Sequence, residues 1–130
     1  MILQSIRERA SYNPQHIILP EGADPRVVTA AEVCVRERIA KLTLLGNEDE
    51  IRESAAAARA NLNGVAILDH FRVHDHGRIA RLYHELRRAK GVTLEEAERI
   101  VKDPLFYANL LVHLGEADGT VAGAANSTAH

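Results

Sequence analysis

The spacing of apolar positions changes character repeatedly along the chain. Short continuous apolar runs, HIILP (16–20), KLTLLG (41–46) and VAILD (65–69), are bounded by Pro, Gly or Asn and predict buried strands. Between them the apolar positions recur at helical spacing. Ile2, Ile6 and Arg9 predict a short amphipathic helix over 2–12. Asp24-Pro25 is a helix start, with Asp at the N-cap and Pro at the first helical position. In the helix that follows, Val27, Ala31, Cys34 and Val35 form one buried face. Residues 48–60 predict an Ala-rich helix whose first turn carries the acidic residues that suit the helix dipole.

The second half is mostly helical. A helix over 77–90 places Ile79, Leu82, Tyr83 and Leu86 together, and Gly91 stands as its stop. Thr93-Leu-Glu-Glu96 is a capping box. Asp103-Pro104 repeats the start signal before LFYANLLVHL, apolar around most of its circumference and so expected to be well buried. A fourth strand is expected near 118–124. Strands alternating with helices predict an α/β fold with a parallel sheet, which binds ligands beyond the carboxyl ends of its strands. Two of those ends read LPEG and GAANST.

Composition narrows the picture. The 130 residues suffice for one domain, and with 4% aromatic residues and no Trp the core must be aliphatic. A net charge of −2 without a block of Lys or Arg argues against nucleic acid or an anionic membrane as partner. The lone Cys34 precludes an internal disulfide, and neither a signal peptide nor a membrane span is apparent. A cytoplasmic protein is expected.

Four stretches and two lone side chains could carry chemistry. AGAANST lets backbone approach a ligand closely while Ser127 and Thr128 offer hydroxyls to phosphate oxygens, yet it matches neither a Walker A loop nor GxGxxG, and a tight turn explains it equally. Glu21 stands in a strand-to-helix turn, where it either orients an active-site group or pairs with Arg26. Arg87, Arg88 and Lys90 crowd a helix end, as dipole complement or as an anion site. DHFRVHDHG sets His70, His74 and His76 beside Asp69 and Asp75, but in a connection without a second ligand group, so no metal is expected. Cys34 and His113 lie on apolar helices and read as packed side chains.

Two longer segments resemble a known family. IILPEGADPRVVTAAEVCVRERIAKLTLLGN is similar to the opening, and LYHELRRAKGVTLEEAERIVKDPLFYANLLVHLGEADGTVAGAANST to the middle, of phosphate acetyltransferases (phosphotransacetylases), within the phosphate acetyl/butyryl transferases. The likeness runs from residue 16 to the end and is loose around 52–77. It implies a three-layer parallel-sheet domain, the first domain of a phosphotransacetylase-like, isocitrate/isopropylmalate dehydrogenase-like fold, here incomplete because residues 1–130 would be only its N-terminal portion.

The resemblance also implies a reaction, acetyl-CoA plus phosphate to acetyl phosphate plus CoA, without metal or acyl-enzyme. By position Arg87 matches an arginine implicated in CoA binding, and Ser127 and Thr128 fall in the cleft loop, with Asn126 and Glu21 as further cleft candidates. The family's catalytic Ser, Arg and Asp would lie beyond His130, so turnover by this chain alone is not expected. An incomplete sheet edge predicts homo-oligomers. Phosphate butyryltransferase, a malic-enzyme-linked transferase-like domain, and a non-catalytic nucleotide- or partner-binding module are the alternatives.

Overall fold

The computed structural model describes residues 2–70 and 76–124. Four strands, β1 (Gln15–Leu19), β2 (Ala40–Leu45), β3 (Ala66–Leu68) and β4 (Gly119–Thr120), form one parallel sheet in the order β3-β2-β1-β4. The helices are α1 (Ile2–Tyr12), α2 (Pro25–Arg36), α3 (Glu48–Ala58), α4 (His76–Arg87), α5 (Leu94–Ile100) and α6 (Pro104–His113). The chain steps from β1 outward to β3, then returns to the other side of β1 as β4. Crossovers of one hand must change faces when the direction of travel reverses. Accordingly α2 and α3 pack on one face, with Val28, Ala31, Ile51 and Ala55 against Leu42 and Leu44. Helices α4 and α6 pack on the other, with Ile79, Ala80, Tyr107 and Leu111 against Ile18 and Leu45.

The helix starts form as their local chemistry dictates. Asp24 and Asp103 accept from the backbone N–H two residues on, each at 2.8 Å, and each is followed by Pro. The Thr93 hydroxyl accepts from Glu96 N at 3.1 Å, the threonine half of the capping box. Gly91 adopts φ 87° where the chain must reverse hand.

Several details differ from the sequence expectations. The buried face of α2 centres on Val28 and Ala31, and Val27, Cys34 and Val35 are only partly covered. Helix α4 ends at Arg87 and tightens into a 3-10 turn over Arg88–Lys90; Ile79, Leu82 and Tyr83 pack on the core as expected, but Ala80 joins them and Leu86 is exposed. Among the described residues, helix α6 is covered on one side only. Tyr107, Ala108, Leu110 and Leu111 are buried, but Phe106 and Leu114 face outward. His113 is likewise exposed rather than packed, because the covering elements meet only that one side. Strand β4 keeps two paired residues of the expected seven. Helix α1 buries none of its residues, and Ile2, Leu3 and Ile6 stand on the surface.

Candidate functional site

Reversal of direction between β1 and β4 makes a topological switch point, the place where an open parallel sheet leaves a crevice beyond its strand ends. Pro20 and Gly22 leave β1 buried, and Gly46 leaves β2 at φ 145°, a conformation glycine alone adopts readily. A hollow of about 300 Å3 opens here, lined in part by Glu21, Gly22, Asp24, Gly46, Asn47 and Pro104.

Glu21 is the organising side chain. It is buried, and its Oε1 accepts from the backbone N–H of Gly123 at 2.7 Å and of Ala124 at 3.0 Å. A carboxylate removed from water is stable only when its oxygens are bonded this way. Arg26 forms its ion pair with Asp24, through Nη2 to Oδ2 at 2.9 Å and Nε to Oδ1 at 3.1 Å, and Nη2 also donates to the Ala124 carbonyl. The hydrogen bond from Arg26 holds the Asp24 carboxyl below its usual range, and Asp24 in turn raises Arg26, with nearby Glu21 adding to the effect. The pairing of Glu21 with Arg26 considered from sequence is thus replaced by a division of labour: Arg26 bonds Asp24, and both Glu21 and Arg26 reach the same far segment.

Arg87 is exposed and stands elsewhere. It lines a groove of about 370 Å3 between α4 and α6, whose walls include Tyr83, Phe106, Asn109 and His113. Tyr83 and Phe106 meet edge to face with ring centroids 5.9 Å apart. Phe106, Asn109, Leu110 and His113 fall on one face of α6, at i, i+3, i+4 and i+7. Among the described residues the strand-end hollow and this groove share no lining residue, but α6 serves both: it starts at the hollow with Pro104 and carries the groove along its exposed side. Neighbouring Arg88 is drawn toward Glu85 at 3.8 Å, a surface pair of little weight.

Of the sequence candidates, the structure brings Glu21 to Gly123 and Ala124, the first two residues of GAANST. Asn126, Ser127 and Thr128 lie outside the described residues, as do His74 and Asp75. His70 is buried with Nε2 2.9 Å from the Lys102 carbonyl, and its ring meets Tyr107 at 5.5 Å. Those contacts use His70 in packing the connection. Cys34 is partly buried, which pushes its thiol up and makes it a poor nucleophile. No helix among the described residues is long and apolar enough to cross a membrane. Sequence reasoning missed Arg26 and Asp24 as loop-fastening groups; their one signal was a cation two residues after an N-cap aspartate.

The family model described as phosphate acetyl/butaryl transferase matches residues 1–130. The phosphate acetyltransferase of Acetivibrio thermocellus is 44% identical over 128 residues, and that of Thermoanaerobacterium thermosaccharolyticum 43%. Each alignment covers 98% of this chain but 38% of the relative, so the chain spans under two fifths of their length. A phosphotransacetylase from Streptococcus pyogenes superposes with a TM-score of 0.90 at 30% identity, over 98% of this chain and 39% of that one.

Proposed function

Because the chain belongs to the phosphate acetyl/butyryl transferase family, we propose that it forms part of the substrate cleft of an enzyme interconverting acetyl-CoA and phosphate with acetyl phosphate and CoA. The observation that carries the reading is the meeting of LPEG with Gly123 and Ala124, the first two residues of GAANST, at the switch point, in a chain matched by that family from end to end. The names of the similar proteins favour the acetyl over the butyryl substrate.

In this reading the two surfaces divide the ligand. Arg87, in its groove with an aromatic wall, binds the phosphates of CoA, for which a guanidinium is suited. Ser127 and Thr128, with Asn126 beside them, bond the phosphate and the reacting carbonyl at the strand ends. An extended ligand with phosphates at one end and a thiol at the other suits a site strung along α6. Thiolate attack on the carbonyl of acetyl phosphate forms the thioester bond and expels phosphate. The base for the thiol and the remaining cations would come from the part of the relatives' length that this chain does not span. No metal takes part. The protein works in the cytoplasm, on small molecules, as a homo-oligomer.

Calorimetric titration of the chain with CoA tests this, beside Arg87→Ala and with dephospho-CoA as a second ligand. Binding that weakens about tenfold or more in the variant is expected. An unchanged affinity would remove Arg87 from the site, and no binding by the unsubstituted chain would sink the reading.

A further inference from the structure

We propose that the groove between α4 and α6 is a purine subsite, where the adenine ring of CoA stacks on an aromatic wall and Asn109 bonds its amino edge; the inference rests on the CoA reading above. Three kinds of group line this groove together: the rings of Tyr83 and Phe106, the amide of Asn109 and the guanidinium of Arg87. Tyr83 is half-buried against the core, so it holds a fixed place, and Phe106 meets it at an interplanar angle of 84°. Two rings at that angle make a corner and not a closed stack. Phe106 stays 43% exposed, an apolar ring left at the surface of a helix. Leu110, buried one turn further along α6, floors the groove.

The polar groups are equally unengaged. Asn109 stands exposed in mid-helix, where Asn is a poorer helix former than Ala. Among the described residues its amide has no hydrogen-bond partner, and Arg87, unlike Arg88, has no ion pair. A groove that only joins two helices needs neither group.

The combination selects a ligand class. A flat ring covers Phe106, an anion meets Arg87, and a ring edge with a donor beside an acceptor satisfies the amide, whose oxygen accepts and whose NH2 donates. Adenine supplies that edge as N6–H beside N7, which an asparagine bonds together. Guanine presents two acceptors there and leaves the amide oxygen without a donor. At about 370 Å3 the groove stands at the small end of ligand pockets. It therefore takes the nucleotide end of CoA and leaves the thiol arm to follow α6 toward the strand-end hollow.

The test is calorimetric titration of this chain with CoA and with etheno-CoA, whose modified adenine keeps a flat ring but has lost N6–H. Phe106→Ala, Phe106→Leu and Asn109→Ala all change exposed positions, so their thermal transitions stay within a few degrees of the parent. Both Phe106 variants should bind CoA about tenfold more weakly, because leucine keeps apolar bulk but not a ring to stack on. Asn109→Ala should weaken CoA about tenfold and leave etheno-CoA unchanged, since that analogue already lacks the bond. Adenosine 3′,5′-bisphosphate should bind the parent more tightly than its guanosine counterpart.

Unchanged CoA affinity in Phe106→Ala and Asn109→Ala would overturn the subsite while leaving CoA binding in place. Parent-like binding by Phe106→Leu would overturn the stacking. Equal weakening of CoA and etheno-CoA by Asn109→Ala would overturn the adenine assignment. A parent that binds adenosine bisphosphate through Phe106 but not CoA would keep the purine subsite and remove the CoA reading; binding of neither would remove both.

Discussion

Gly22 and Leu45 meet backbone to backbone at the ends of β1 and β2. Gly22 N donates to Leu45 O at 3.1 Å, and a Cβ on Gly22 would fall within 3.0 Å of that carbonyl oxygen. The obstructing atom belongs to the backbone, with the Ile51 and Leu44 side chains close behind, so nothing flexible can yield. Gly22→Ala should destabilise the chain by about 1–3 kcal/mol, measured by urea unfolding. A neutral result would mean that the two strand ends are further apart than described.

Ile51 anchors α3 against the same turns and is fully buried. Ile51→Ala should cost about 2–5 kcal/mol and Ile51→Val about 0.5–1.5 kcal/mol, both read in the same unfolding assay. Equal losses for the two variants would contradict tight packing at this position.

His76 lies near Tyr107, with ring centroids 6.1 Å apart, and among the described residues its Nε2 has no hydrogen-bond partner. Burial lowers its pKa, His70 and Lys102 push the same way, and Glu98 opposes them weakly. A histidine depressed in the folded state binds protons more readily once unfolded. Its contribution is therefore complete above the ordinary value of about 6.5 and is lost as pH falls from there through the folded value. His76→Phe keeps a ring but cannot protonate. The fall in melting temperature between about pH 7 and pH 5 should be shallower in that variant than in the parent; parallel profiles would exclude His76 as a source of acid sensitivity.

Helix α1 carries Ile2, Leu3 and Ile6 on the surface, and the sheet ends at the short edge strands β3 and β4. Self-association in solution is expected, with Leu3→Glu and Ile6→Glu shifting the mass toward the 14.3 kDa of one chain. Sedimentation across a range of concentrations decides this. A mass of one chain at every concentration would refute it.

Features set by a few neighbouring residues were legible from sequence. Asp24, Thr93, Asp103 and Gly91 each mark a helix end because the bond or torsion involved lies within three residues. Burial around a helix was less legible, because it depends on which neighbour covers which side. Ala80 therefore turned inward where Leu86 did not, and His113 came to the surface of a helix whose sequence is apolar nearly all round. The Glu21 clamp was only half visible. A carboxylate after a buried strand hints at a task, but its partners are 102 and 103 positions away, beyond any local pattern.

That same separation bears on the order of folding. Strands β1 and β2 pair between Gln15 and Leu44, within one βαβ unit, whereas β4 reaches β1 only after α4, α5 and α6 have been laid down. Closing so long a loop is entropically costly, and the two-residue β4 returns little for it. The segment should join the sheet late and open early, well below the free energy of global unfolding. Ligand contacts at this end would then report on completed folding, since the surface they touch comes into being with the last step.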